Sequence, residues 1–272
     1  MKQYQTHNMK SKISICCLSF FLATNVFAQN DAAELARKLS NPISSLISVP
    51  FQNNTDYGIG ELKGSRNTMN IQPVVPISLT KNLNLIARWV QPLITQYNIT
   101  GPQEKQSGLA DAVVSTFLSP SISKNGFTWG AGPVFLVPDA TDDMLASKQF
   151  GIGPTMVALK QFNGWTIGAL ANQIWGVSGG ENRPKVDQMF VQPFLAYNWK
   201  SGAGIGANME WTQNWTANSS TLWFNPNISA VTSLGKQKTQ FAIGPRFNLA
   251  APSGGKADWG WRAVVVFLFP KG

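Results

Sequence analysis

Polar and apolar side chains alternate with period two along most of the chain, and residues 68–79 show the pattern plainly. Thr68, Asn70, Gln72, Val74, Pro76 and Ser78 share one face, and Met69, Ile71, Pro73, Val75, Ile77 and Leu79 the other. Successive side chains of a strand point to opposite faces, so such a segment has a wet side and an apolar side. Twelve strands are predicted on this basis, over 45–53, 67–79, 83–95, 108–119, 127–137, 149–160, 165–176, 187–199, 203–213, 221–233, 239–250 and 259–269.

Connections between them alternate in length. Short ones cover 80–82, 120–126, 161–164, 200–202 and 234–238; longer ones cover 54–66, 96–107, 138–148, 177–186, 214–220 and 251–258. Short turns on one side, long loops on the other and an even strand count are habits of outer-membrane β-barrels. The expected fold is therefore all-β: a transmembrane antiparallel barrel of about twelve strands behind a short N-terminal periplasmic helix.

Several outward faces read cleanly, such as Phe127, Trp129, Ala131 and Phe135, or Phe241, Ile243, Phe247 and Leu249. Trp165, Trp199, Trp211, Trp215, Trp259 and Trp261 gather near strand ends, where an interfacial girdle wants them. In the seventh strand Asn172, Gln173 and Trp175 break the phase, and a bulge is expected there. Six strands hold an internal proline on the outward face: Pro73, Pro133, Pro154, Pro193, Pro226 and Pro245. Proline cannot donate to a ladder, so a belt of bulged or weakened pairing at one height is expected.

Residues 1–28 have the form of a cleavable export signal. Lys2, Lys10 and Lys12 precede an apolar stretch over 13–27, and Ala28 stands before a plausible cut at Gln29. Cys16 and Cys17 raise a lipoprotein signal as a rival, but Ile15 stands where a small residue is wanted. Residues 29–44 then form a helical leader. Asp31 can cap it, Glu34 completes a capping box, Leu35 and Leu39 share a face and Pro42 closes it. This leader is either an ordered periplasmic segment or a plug resting in the barrel mouth. Residues 45–272 form the barrel.

Loss of the signal changes the chemistry available. It removes both cysteines, His7 and three of the 22 basic residues; against 13 acidic residues the mature charge is near +6. No run of 18 or more apolar residues follows the signal, so a closed barrel is the remaining way across a membrane.

At this point several segments resemble a known family. Asn41-Pro42, the run Ile47-Ser48-Val49-Pro50-Phe51-Gln52-Asn53-Asn54, Gly108-Leu109-Ala110-Asp111, Gly132-Pro133 with Pro138, Gly151-Ile152-Gly153-Pro154, Gln192-Pro193, and Trp261-Arg262 with Leu268-Phe269-Pro270-Lys271 carry the resemblance. In that order they are similar to bacterial outer-membrane barrels labelled transporters or meta-pathway phenol-degradation type proteins. The resemblance implies an outer-membrane barrel passing small compounds, including apolar or aromatic ones. Pro270-Lys271-Gly272 depart from the habit of ending on an aromatic residue, although Val265, Phe267 and Phe269 still share one face.

A serine nucleophile needs an imidazole to take its proton, and zinc or redox-metal sites want His or Cys. The exported chain has neither, so it is expected not to be an enzyme and to hold no metal or cofactor. Asp139, Asp142 and Asp143 form an acidic outer loop, read as solvated in preference to calcium-binding. Scattered lysines and Gly-rich pieces without a following helix give no sign of nucleic acid or phosphate binding.

Charges on lumen faces are the remaining candidates: Arg88, Asp111, Glu210, Arg246 and Arg262. Glu210, Arg246 and Arg262 are expected at one height, and Arg88 beside Asp111. The polar lining is expected from Asn70, Gln72, Gln192, Asn208, Asn225, Asn227 and Asn248. Such a set is either a charged constriction or a structural network filling the lumen. The expected function is passive passage of small molecules through the Gram-negative outer membrane; the alternative is a sealed structural or surface-interaction barrel. Expected partners are outer-membrane lipid, a small-molecule solute and the barrel-assembly machinery. Oligomeric state is left open.

Overall fold

A computed structural model of the chain describes residues 26–180 and 182–270. The segment read as an export signal, with its cysteines and His7, and the extreme C-terminus lie outside the described residues, apart from residues 26–28, which begin the helix. One helix, α1 (Val26–Leu39), precedes fourteen strands: β1 (Ile47–Ile59), β2 (Gly64–Ile71), β3 (Val74–Thr80), β4 (Leu83–Tyr97), β5 (Lys105–Leu109), β6 (Ala112–Pro120), β7 (Phe127–Val137), β8 (Gln149–Phe162), β9 (Trp165–Gly179), β10 (Asp187–Asn198), β11 (Ala203–Asn214), β12 (Ser219–Leu234), β13 (Gln237–Ala250) and β14 (Trp259–Phe269). β2 and β3 are one stave interrupted at Gln72-Pro73, and β5 and β6 one stave interrupted at Ala110-Asp111. Twelve staves result. They pair antiparallel in sequence order, and β14 returns to β1, from Ile47↔Phe269 to Tyr57↔Trp259. The sheet is a closed barrel and presents no free edge to lipid.

Side-chain parity sorts as expected. Ile228 on the outside is 62% exposed, whereas Ile86 on the inside is 0% exposed. Only a surrounding hydrocarbon makes the first favourable, which places this barrel in the Gram-negative outer membrane. Aromatic pairs ring both ends: Trp165 and Tyr197 at 4.9 Å near the short turns, Tyr57 stacked on Trp259 at 4.6 Å near the loops.

The strands run further into the loops than the alternation indicates. β1 and β2 leave only residues 60–63 between them, and β4 extends to Tyr97. Asn, Thr, Gln and Gly beyond the apolar band read as loop, yet strands standing clear of the bilayer are wet on both faces. In β9 the phase is unbroken, because Leu170, Asn172 and Ile174 point inward and Trp175 outward. The register instead shifts beyond it, where Phe150↔Ser178 is followed by Gly151↔Gly176.

The prolines interrupt pairing without shifting register. Between β10 and β11 pairing stops after Val191↔Trp211 and resumes at Phe194↔Asn208. The same lapse separates Ser115↔Val134 from Leu118↔Ala131, Ile152↔Trp175 from Thr155↔Asn172, Phe224↔Phe247 from Ile228↔Ile243, and Ile71↔Gln91 from Val74↔Arg88. Weakened pairing is present at this belt; bulges are not. The strands press together there: a Cβ at Gly132, Gly153 or Gly244, each just before a proline, would collide with a backbone carbonyl of the adjoining strand.

α1 lies across the mouth with the short turns. Leu35 and Ala36 pack with Leu46, Val231, Val266 and Leu268, and Gln161 Nε2 donates to the Arg37 carbonyl at 2.8 Å. The chain then turns into the lumen, where Ile43 is buried against Ile86, Phe117, Val157, Leu159 and Leu170. Burying each of Leu35 and Ile43 is worth about 1.5–3 kcal/mol. The double substitution Leu35→Asp with Ile43→Asp should therefore undock residues 26–46. Limited proteolysis should cut that segment on the order of tenfold faster, while heat-modifiable migration shows an intact barrel.

Candidate functional site

Register sets the lumen charges. Asp56 on β1 faces Gly260 on β14, and Gly260 faces Arg246 on β13. Glycine leaves the intervening position empty, so the carboxylate and the guanidinium meet across β14. Arg246 Nε donates to Asp56 Oδ1 at 3.0 Å. A Cβ at Gly260 would collide with the Asp56 carboxylate. One step towards the short turns, Arg262 stands opposite Asn54 and donates to its Oδ1 at 2.7 Å.

Both arginines converge on Glu210 of β11. Arg262 Nη2 donates to its two carboxylate oxygens at 2.8 and 3.0 Å, and Arg246 Nη1 lies 3.6 Å away. The arginine side chains are 5–6% exposed and Glu210 is 18% exposed, so this cluster is shielded and strongly coupled. Trp223 on β12 lies under Arg246, 4.2 Å from its guanidinium, and supplies a π face where Nη1 has no hydrogen-bond acceptor.

Arg88 on β4 belongs to the opposite wall and donates from Nη2 to Gln72 Oε1 at 2.7 Å. It does not meet Asp111. That carboxylate sits at the loop end, where it accepts the backbone N–H groups of Ala140 and Ser147 at 3.3 and 2.6 Å and ties down the 138–148 loop. Asn248 is also a loop clamp: its side chain accepts from Ala257 N–H and donates to the Leu222 and Ala250 carbonyls. The other amides are in the lumen. Asn70, Gln72 and Gln192 line an upper cavity of about 250 Å³, Asn208 and Asn227 a lower one of about 230 Å³. Asn225, 1% exposed, donates to Asn208 Oδ1 at 2.9 Å.

The acidic loop is spoken for locally. Asp139 accepts from Ala112 N–H, Asp142 from Met144 N–H, and the hydrogen bond and charge of Lys148 hold the Asp143 carboxyl below its ordinary range.

Sequence parity missed half of the lumen. Val90, Val113, Leu170, Ile174 and Phe190 give the upper cavity an apolar lining alongside its amides and charges. In Met189-Phe190-Val191 both faces are apolar, so alternation carries no contrast there. Trp223 was hidden for a related reason, since a tryptophan in a strand reads as girdle.

No protein-family model matches the chain, and no curated protein matches it in sequence. Solved structures do. The COG4313 outer membrane channel of Pseudomonas putida F1 is 15% identical with a TM-score of 0.64, over 82% of this chain and 94% of that one. Outer membrane phospholipase A of Escherichia coli is 11% identical with a TM-score of 0.47, over 89% and 98%. OccK7 of Pseudomonas aeruginosa is 7% identical with a TM-score of 0.39, over 84% and 98%. These are likenesses of fold, to outer-membrane β-barrels. The expectation that the chain is not an enzyme is withdrawn: enzymes and non-enzymes both stand among the matched structures, and likeness of fold decides neither way.

Replacing Glu210 by Gln leaves two shielded guanidiniums without their shared carboxylate. Stability should fall by about 3 kcal/mol, read as a lower urea midpoint of tryptophan fluorescence for the reconstituted barrel. Gly260→Val should lower it as well by separating Asp56 from Arg246.

Proposed function

We propose that this barrel is a passive conduit for small molecules and that the Glu210–Arg246–Arg262 cluster with Arg88 forms its constriction. The observation that carries this reading is a run of three abutting cavities inside the barrel. The upper one, of about 250 Å³, shares Gln192 with one lower cavity and Gln52, Gln72 and Arg88 with another of about 200 Å³. The two lower cavities pass either side of Leu39 and Pro42. The inward-turning segment therefore narrows the lumen to two routes.

The finer assignment follows the resemblance to meta-pathway phenol-degradation type barrels, which implies apolar or aromatic solutes. The apolar wall of the upper cavity supports it, because such solutes need a surface that does not bind water. Its matched neighbour from Pseudomonas putida is described as a channel, in keeping with passage through the lumen.

A sealed structural barrel is the rival reading, favoured by the burial of Ile43 in the lumen. Proteoliposome swelling with a small sugar and single-channel currents separate the two: a conduit gives flux above empty vesicles, a sealed barrel none. The double substitution Arg246→Ala with Arg262→Ala removes two positive charges from the wall. It should change conductance and shift selectivity towards cations; unchanged currents from a folded variant would assign the cluster a structural role only.

A further inference from the structure

The upper cavity holds a charge that this chain leaves without an ion-pair partner. Within the lumen, Arg66, Arg88, Arg246 and Arg262 face two carboxylates, Asp56 and Glu210. Arg246 and Arg262 are neutralised by those two acids. Arg66 is the direct cross-strand neighbour of Asp56. Arg66 makes no ion pair either and donates to Gln96 Oε1 at 2.9 Å, but it has that acid beside it; Arg88 pairs with Val74 and Ser115 and has no acid on either neighbouring strand position. Among the described residues no carboxylate lies within ion-pair distance of it, and its hydrogen-bond partner, Gln72, is neutral.

A shielded guanidinium without an ion-pair partner favours an anion, and its planar fork matches a carboxylate. Nη2 is engaged by Gln72, while among the described residues the remaining N–H groups of Arg88 make no hydrogen bond to another side chain. Glu210 borders the same cavity and its charge acts on Arg88 across it, but both of its oxygens already accept from Arg262 and it forms no ion pair with Arg88. Beside Arg88 stand Val90 on its own strand and Val113 on the next, and Leu170 of β9 and Phe190 of β10 line the same cavity from across the lumen, which suits an apolar body. About 250 Å³ admits a single ring or a short chain and little more.

We propose that this cavity is a binding site for small monocarboxylates with an apolar body, the carboxylate on Arg88 and the body against the Val113–Leu170–Phe190 wall. The proposal rests on the conduit reading in one respect only. Arg88 and Gln72 border both the upper cavity and the lower one beside Pro42, so a bound acid lies on the route.

Fluorine NMR of the barrel in nanodiscs tests it with three probes of one shape: para-fluorobenzoate, para-fluorobenzyl alcohol and para-fluorobenzylammonium. The acid should bind about tenfold or more tighter than the alcohol, and the ammonium more weakly than either. Arg88→Gln should bring the acid down to the alcohol, and Arg88→Lys should retain part of the preference. Val113→Glu keeps Arg88 and supplies a resident carboxylate; it should abolish acid binding. Equal binding of acid and alcohol by the unaltered protein overturns the proposal whatever the variants do, as does an acid preference that survives Arg88→Gln or Val113→Glu in a folded barrel. Selective acid binding without proteoliposome flux keeps the site and removes the conduit; flux without acid preference does the reverse.

Discussion

Closure of the sheet between β1 and β14 is the interaction on which the rest depends. In hydrocarbon each unpaired backbone group costs several kcal/mol, so an open edge would not persist there. The seam is paired without a break from Ile47↔Phe269 to Tyr57↔Trp259. It is also where the lumen charges are stitched. Asn54 and Asp56 come from β1, Arg262 from β14, Arg246 from β13 and Glu210 from β11, so the cluster spans both sides of the closing pair. Closure brings the acids and bases into register, and their mutual neutralisation makes a charged interior tolerable. The cluster depends on closure, and removing one member of it strands the charge of another.

That arrangement divides the lumen into unlike halves. Polar and charged groups occupy the wall around the seam, while Ile86, Phe117, Val157, Leu159 and Leu170 form an apolar wall opposite. The N-terminal segment respects the division. Ile43 enters against the apolar wall, and the cavities flanking Leu39 and Pro42 keep amide-rich sides in Asn227, Ser229 and Gln240. A uniformly polar lumen would give an apolar segment no reason to enter. A uniformly apolar one would leave no water-compatible space beside it.

The staves were legible in the sequence because lipid on one face and water or amide on the other impose contrast at every second residue. The convergence of Glu210, Arg246 and Arg262 was legible too, since charged side chains on transmembrane strands have one acceptable direction. What parity cannot report is the reach of a side chain at the rim. Asp111 and Asn248 have inward parity, yet both are drawn into loops by backbone N–H groups that only the folded loop presents. Arg88 was placed beside Asp111 because sequence places strands next to each other but not residues at the same height. Asp56 lay in what read as a loop. The glycine at position 260, whose missing side chain lets Asp56 reach Arg246, acts through its register with two strands at once, and a single strand read alone contains no trace of that.

The proline belt shows how a transmembrane ladder accommodates residues that cannot donate. Lapses at Pro133, Pro154, Pro193, Pro226 and Pro245 fall on alternate interfaces: β6 with β7, β8 with β9, β10 with β11, and β12 with β13. The intervening interfaces run through the same level unbroken, as in Pro133↔Pro154, Pro193↔Ala169, Ala207↔Pro226 and Pro245↔Trp261. Each of these staves therefore keeps one fully bonded neighbour, and the barrel wall reads as intact ribbons joined by thinner seams. Prolines scattered over both sides of a stave would leave it held by neither neighbour at that height. Pro73 is the exception, and there the stave itself breaks into β2 and β3; Gln72 N–H still donates to the Pro50 carbonyl at 2.9 Å and Trp89 N–H to the Pro73 carbonyl at 3.1 Å. At three of the lapses the carbonyl that has lost its donor is pressed instead against a glycine Cα, a contact open to Cα–H···O attraction and closed to any larger residue. At those three lapses glycine before proline lets the strands close up without leaving a void in the membrane, whereas the lapse at Pro193, which follows Gln192, has no such glycine.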